Sequence, residues 1–255
     1  MNGRFSADMR LAARHPTQAR CKCCGEHALL AGFVDFARDC YGYNRQRGIV
    51  SGIPVPYYRC AACEFGFTDA FDAWRADEFA EHIYNADYPL YDPRYDDARP
   101  RKMAGLISNV MKNRNISVLD YGGGNGKFAQ LLREAGFREV DSYDPFHENP
   151  VKPRRVGYQL VTCIEVAEHS PDPLALFDEL QTYAAPTGLI LFSTQDFSEV
   201  HGYWLDDWYV APRNGHVSFF TQKTMRMIAD RLGRDYHKLD KYRHVLTPRM
   251  GSTQT

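Results

Sequence analysis

A chain of 255 residues, 44% hydrophobic and 25% charged, can bury a sizeable core, as one large domain or as one core with a small module. Its formal charge of -1 excludes any general electrostatic case for nucleic acid or an anionic membrane as partner. No run of about 18 apolar residues occurs, so no membrane span is expected. The basic N-terminus, MNGRFSADMRLAARHPTQAR, lacks the apolar stretch of a secretory signal, and a cytoplasmic location is the expectation.

Residues 1–75 hold six of the seven cysteines and read as a cysteine-rich module. CKCCG offers Cys21-x-x-Cys24 with Gly25 behind it, and YYRCAAC offers Cys60-x-x-Cys63. Two such knuckles supply the four thiolates of a tetrahedral zinc site; with every position filled, the metal would be structural. Disulfides or free thiols are the alternative, which a reducing compartment disfavours. Cys23 competes with Cys21 in register. Cys40 and Cys163 read as packed thiols.

Residues 76–115 form a connector. It carries Tyr84, Tyr88, Tyr91 and Tyr95, then a helix near 99–112 whose apolar face is Met103, Leu106, Ile107 and Val110. From residue 116 the pattern alternates. ISVLDY (116–121), EVDSYD (139–144), YQLVTCIEV (158–166) and GLILFST (188–194) read as strands. NGKFAQLLREAG (125–136), PDPLALFDELQTYAAP (171–186) and TQKTMRMIADRLG (221–233) read as helices, the last with Thr221 as N-cap and Gly233 past its end. Such alternation predicts an α/β fold with a doubly wound, mostly parallel sheet, and a small N-terminal module. Right-handed crossovers place the carboxyl ends of the strands along one edge, where ligands bind.

A glycine loop falls on that edge. Gly122, Gly124 and Gly126 space as G-x-G-x-G and run into a helix, whose free N–H groups can receive a polar or anionic group. The third glycine comes one residue early for a nicotinamide site, and Phe128 after Lys127 breaks the phosphate-loop pattern. Asp144 ends the second strand about 20 residues past Gly122, where a carboxylate accepts both hydroxyls of an unphosphorylated ribose.

VLDYGGGNGKFAQLLREAGF, SYDPF and VTCIEVAEHSPDPLALFDEL together resemble the class I, Rossmann-like methyltransferases that use S-adenosylmethionine. The resemblance implies that Asp120, Tyr121, Gly122, Gly124 and Gly126 hold the methionine half of the cofactor and Asp144 its ribose. It places Glu165 near the cofactor and turns Glu168 and His169 toward the substrate cleft. Only the short loop PFHENPVKPRRVG separates Asp144 from the next strand, which leaves Phe146 to cover the adenine. In similar proteins the upstream segment forms a lid, for which Tyr88 is the best single residue here; the alternative for the tyrosines is packing at a junction. GHVSFFT resembles a segment of glycan and small-molecule methyltransferases, and puts His216 at the substrate edge as a base or as a brace for its own loop. Trp204, Trp208 and Tyr209 make either a substrate wall or core.

The domains expected are a zinc module (1–75), a helical connector or lid (76–115) and a cofactor-binding methyltransferase domain (116–255). The function expected is O- or C-methylation of a small-molecule or saccharide acceptor, with His216, Glu168 and His169 as the catalytic residues. The alternatives are an RNA- or protein-modifying enzyme whose zinc module grips a macromolecule, and a non-catalytic cofactor-binding scaffold. The near-neutral charge and the absence of a basic stripe count against RNA. Neither the acceptor nor the oligomeric state follows from the sequence.

Overall fold

The computed structural model describes residues 16–145, 152–153 and 156–249. In chain order its strands are β1 (Gln18–Arg20), β2 (His27–Asp35), β3 (Pro54–Cys60), β4 (Gly66–Phe67), β5 (Ser117–Tyr121), β6 (Glu139–Tyr143), β7 (Tyr158–Ile164), β8 (Ala184–Ser193), β9 (Ser218–Phe219), β10 (Arg234–Lys238) and β11 (Arg243–Pro248). The helices are α1 (Tyr43–Gln46), α2 (Ala76–His82), α3 (Tyr88–Tyr91), α4 (Ala98–Val110), α5 (Lys127–Glu134), α6 (Pro173–Tyr183) and α7 (Gln222–Arg231). The chain divides into two compact units. The first takes the residues up to Pro93, with Glu168–Pro173 and Asp196–Thr224; the second takes Arg94–Ala167, Leu174–Gln195 and the residues from Met225 on.

The first unit is built on an antiparallel sheet in the order β1-β2-β3-β4-β9. Its fifth strand comes from GHVSFFT, in the stretch read with the C-terminal domain: Gly66 pairs with Phe219 and Phe67 with Ser218. An aromatic core that includes Tyr57, Phe71, Trp74, Phe197, Trp204 and Phe219 packs within this unit. Trp204 and Tyr209 are therefore core residues, while Trp208 is exposed. Burying each such ring removes roughly 150–250 Å² from water, so these rings dominate the unit's packing energy.

The second unit carries a six-stranded sheet in the order β10-β11-β8-β7-β5-β6. β6, β5, β7 and β8 run parallel, as the alternating pattern predicts, and the mostly parallel α/β fold is borne out. Their near-continuous apolar runs suit strands covered on both faces. Val118, Phe128, Leu132, Ile107 and Leu160 share the core of this unit. In α4 the buried positions are Ala104 and Ile107; Val110, placed on the apolar face from sequence, is exposed. β10 and β11 add an antiparallel hairpin beyond β8 that the sequence reading did not anticipate. α7 starts as expected, with the Thr224 N–H donating to Thr221 Oγ1 at 3.3 Å, and Gly233 beyond it takes a positive φ of 67°. Among the described residues no helix is long and apolar enough to cross a membrane.

Candidate active site

The glycine turn of the second unit leaves β5 at the carboxyl edge of the parallel strands. The Gly122 N–H donates to the Tyr143 carbonyl at 2.7 Å, tying the turn to β6. Gly122 has φ 72°, and a Cβ there would collide with Val166. A Cβ on Gly123 would meet the Ser142 hydroxyl and stand 2.6 Å from Asp120 Oδ2. Gly124, with φ 53°, is exposed: among the described residues nothing lies within 4 Å of where its Cβ would be. Its N–H donates to Asp144 Oδ2 at 2.8 Å. Two glycines are thus packed tight against the sheet, and the third is exposed beside a carboxylate. That is the form of a cradle for a ligand that approaches the backbone itself.

Asp120 lies under this turn, buried, with the Ser142 hydroxyl donating to its Oδ2 at 3.3 Å. Burial pushes its carboxyl up to about 7 from the ordinary 3.8, against the hydrogen bond from Ser142. Between these two pH values the unfolded chain has lost a proton that the folded chain keeps. This group's contribution to stability is therefore fully present below 3.8 and is lost as pH rises toward about 7, by up to about 1.4 kcal/mol per pH unit. Urea unfolding at pH 5, 6, 7 and 8 should show a steeper loss in the wild type than in Asp120→Asn; equal slopes would refute it.

Tyr121 contributes backbone to the turn, but its phenol points elsewhere. It donates to Glu179 Oε2 at 2.7 Å and packs against Tyr143 and Tyr183. Glu165, just past β7, is one of two described non-glycine residues with positive φ, at 55°. Its backbone N–H donates to Ser193 Oγ at 2.8 Å, and that hydroxyl donates back to Glu165 Oε1 at 2.7 Å. Arg99 on α4 brings its guanidinium to 3.7 Å from Glu165 Oε2. Neither Gly123, Ser193 nor Arg99 was marked from the sequence; no spacing signal announces them. Phe146 lies outside the described residues.

Glu168, His169 and His216 belong to the first unit, where they meet: each offers a ligand atom within 4.8 Å of the others'. Glu168 lies three residues after Glu165, within the short 3-10 turn Ala167–His169. Its carboxylate is fully buried and accepts a hydrogen bond from the Tyr209 hydroxyl. The rings of His169 and His216 stand 4.9 Å apart, edge to face. His216 Nδ1 lies 2.6 Å from the Tyr209 carbonyl, and His169 Nδ1 lies 3.1 Å from the Gly215 carbonyl. A carbonyl only accepts, so both Nδ1 atoms carry the hydrogen. Tyr209, read from sequence as wall or core, thus fixes two functional groups at once. Tyr88 lies in the same unit, buried, with its ring 5.2 Å from Tyr84, which in turn stands 5.9 Å from the His169 ring.

The four cysteines of the two knuckles converge as their spacing predicts. Cys21 Sγ and Cys63 Sγ are 3.5 Å apart, Cys24 Sγ and Cys60 Sγ 3.4 Å, and no described cysteine forms a disulfide. A disulfide would bring two sulfurs to about 2.05 Å. Four thiolates about 2.3 Å from one ion would stand roughly 3.8 Å apart, close to the spacing seen. The two knuckles repeat one backbone pattern. Gly25 N–H donates to the Cys21 carbonyl and Glu64 N–H to the Cys60 carbonyl; Cys21 N–H donates to Glu26 and Cys60 N–H to Phe65. Gly25 and Glu64, one residue past each second cysteine, both take positive φ, 76° and 64°. Glycine holds that shape without strain, whereas a residue with a Cβ loses about 1–2 kcal/mol. Glu64→Gly should therefore stabilise the first unit by roughly 0.5–1 kcal/mol once glycine's larger unfolded-state entropy is set against it. A rise in Tm of a few degrees would bear this out, and a fall would count against it. The fifth thiol, Cys23, is buried beside the cluster, and burial pushes it far above the ordinary thiol range.

A parallel sheet with a bare glycine turn and an acid at the end of the next strand defines a nucleoside-binding α/β fold of the class I methyltransferase type. A family model described as a methyltransferase domain matches residues 95–239, more than half of the chain, and the chain belongs to that family of S-adenosylmethionine-dependent enzymes. It is similar to the ubiquinone biosynthesis O-methyltransferase of Psychrobacter arcticus, 32% identical over 94 residues, which are 35% of this chain and 37% of that protein. A similar match, 32% over 97 residues, links it to the ubiquinone biosynthesis O-methyltransferase of Pseudomonas syringae pv. syringae, covering 35% of this chain and 40% of that protein. The matches thus span well under half the length of these relatives. Among solved structures, an O-methyltransferase family protein from Burkholderia thailandensis shares the fold, with TM-score 0.50 and 14% identity over 69% of this chain and 63% of that one.

Proposed function

We propose that this chain transfers the methyl group of S-adenosylmethionine to a small-molecule or saccharide acceptor. The observation that carries the reading is the acid-flanked glycine turn, with Gly124 exposed while Gly122 and Gly123 are packed. Its shape suits an amino-acid-bearing nucleoside. Asp144 is suited to the ribose hydroxyls, the Gly124 and Gly126 backbone to the methionine half, and Arg99 beside Glu165 to its carboxylate. Asp120 braces the turn from below. The lid role of Tyr88 belongs to the same proposal. When bound, the cofactor supplies a methyl group on a positively charged sulfur.

An alcohol acceptor must lose its proton as it attacks, and a carbon acceptor needs an enol or enolate beside it. The Glu168–His169–His216 cluster brings two imidazoles and a buried carboxylate together for that work. The O-methyltransferase names of the relatives favour oxygen over carbon. In this reading the N-terminal module and the residues that pair with it recognise the acceptor. We further infer that Cys21, Cys24, Cys60 and Cys63 hold one structural zinc, supported by the sulfur spacing and the twin knuckles. Metal analysis should find about one zinc per chain.

Calorimetry should show one S-adenosylhomocysteine bound per chain; no binding would defeat the proposal. His216→Ala should cut turnover by roughly 10²–10⁴ while leaving that affinity unchanged. A near-wild-type rate with an unchanged pH profile would remove His216 from the catalytic group and leave Glu168 and His169.

A further inference from the structure

We propose that Arg213 anchors an oxyanion, a carboxylate or phosphate group carried by the acceptor, and that the chain is therefore selective for acidic acceptors. Calling the ligand an acceptor rests on the methyl-transfer reading; the anion site itself does not.

Arg213 sits in the short turn Pro212–Asn214 of the first unit and is only 3% exposed. A guanidinium withdrawn from water needs an acid beside it, or a protein acceptor for its N–H groups. Among the described residues no carboxylate forms an ion pair with Arg213, and Asp87 acts on it only through space. Its Nη1 donates to the Ile83 carbonyl at 3.0 Å and its Nη2 to Asn85 Oδ1 at 3.3 Å, while Nε donates to no described residue. Burial is the largest influence on its ionisation and pushes it down, against the opposing pull of the Tyr91 phenol. Arg234, the other buried arginine among the described residues, is supplied more fully. Each of its three nitrogens donates, to Gln181 Oε1, the Gly188 carbonyl and the Ala185 carbonyl.

The shortfall at Arg213 has the shape of an anion site. The guanidinium carbon lies 3.9 Å from the centre of the Tyr91 ring, and stacking of that kind holds the plane while leaving its N–H edge to bond. Such a planar fork takes two oxygens of a carboxylate or phosphate side by side. Asn85 is half-buried, and its amide oxygen stands beyond the usual N–H···O distance of about 2.9–3.0 Å. The same oxygen also accepts the Asp87 N–H at 3.1 Å. A neutral, shared and distant acceptor is what a charged oxygen from a ligand would displace.

The surroundings connect this arginine to the proton-handling cluster of the same unit. A Cβ on Gly215, two residues along, would lie 3.3 Å from Ile83 Cγ2 and 3.4 Å from His169 Nδ1. Ile83, whose carbonyl takes Nη1, therefore borders the glycine that borders His169. An acid held at Arg213 suits an acceptor whose other end reaches the imidazoles.

The test is a titration of the zinc-loaded full chain, followed by nuclear magnetic resonance at the Arg213 Nε–H and the Gly215 amide. Sodium benzoate and inorganic phosphate are the probes, and neutral benzamide is the control. At least one anion should shift both signals saturably with Kd on the order of 1 mM, the strength of a forked charge-assisted pair without the rest of an acceptor. Tighter benzoate supports a carboxylate acceptor, and tighter phosphate a phosphorylated one. Arg213→Lys keeps the charge but loses the fork, and should weaken the binding read at Gly215 at least tenfold. The proposal is overturned if neither anion moves the wild-type signals at about 20 mM, well above that Kd. It is overturned equally if benzamide binds as tightly as the anions, or if Arg213→Lys binds them unchanged. Should Arg213→Lys fail to fold, the wild-type titration against benzamide decides. Failure of the wild type to bind S-adenosylhomocysteine would instead strike at the methyl-transfer reading, and the anion result would stand by itself.

Discussion

Removing the zinc inferred at Cys21, Cys24, Cys60 and Cys63 should unfold the first sheet at its knuckle end. Cys21 follows β1 directly, Cys24 precedes β2, Cys60 ends β3 and Cys63 precedes β4, so four of the five strands meet at the cluster. The Cys63 carbonyl also accepts hydrogen bonds from the Thr221 and Thr224 hydroxyls, at 3.4 and 2.8 Å, which ties the residues after β9 to the same point. In the smallest zinc modules the metal contributes roughly 10–16 kcal/mol of folding free energy. Here an aromatic core shares the task, and a loss of on the order of 5 kcal/mol is the expectation. Hydrogen exchange should show it, with amides of β2 and β3 losing protection by at least a hundredfold after chelation or in Cys60→Ser. Zinc-free protein with unchanged protection, or a Cys21–Cys63 disulfide found by mass spectrometry, would reject the metal reading.

Gly124→Val should abolish S-adenosylhomocysteine binding in a chain that still folds. The positive φ makes the substitution strained by about 1–2 kcal/mol, but the side chain has room, since no described residue lies within 4 Å. What it fills is the space assigned to the ligand, and affinity should fall at least a hundredfold, about 2.7 kcal/mol. Gly123→Ala makes the converse case. Its methyl group would displace Ser142 and Asp120, costing roughly 1–3 kcal/mol of stability from overpacking, with cofactor affinity lost only as the turn deforms. Wild-type affinity in Gly124→Val would sink the cradle assignment.

Much of the second unit was legible in the sequence because its strands are buried on both faces. VLDY, LVTCI and LILFS read as apolar runs, and the glycines between strand and helix mark the ligand edge. The hairpin of β10 and β11 escaped notice because RDYHK and RHVLT mix charge and apolar residues without a clean alternation. The cysteine cluster was legible because each C-x-x-C spacing brings two thiols together on one turn. Its partner strand β9 was not, since a two-residue strand carries no periodicity and its pairing with β4 is a long-range fact. Glu168, His169 and His216 were each marked for their chemistry. That Tyr209 holds two of them depends on a side-chain hydroxyl and a backbone carbonyl pointing different ways, which no one-dimensional pattern encodes.

The pairing of β4 with β9 also sets a timetable for synthesis. Gly66 leaves the ribosome about 150 residues before Phe219, its partner, and at roughly 5–20 residues per second the gap lasts roughly 8–30 s. For that interval β4 presents an open edge, and the rings of Tyr57, Phe71 and Trp74 await Phe197, Trp204 and Phe219. An unpaired strand beside uncovered aromatics is the kind of surface that captures other nascent chains. A metal bound early at the two knuckles would hold β1, β3 and β4 in register through the wait. The supply of zinc during translation could thus govern how much of this protein survives to be active, independently of any role the ion has once the fold is complete.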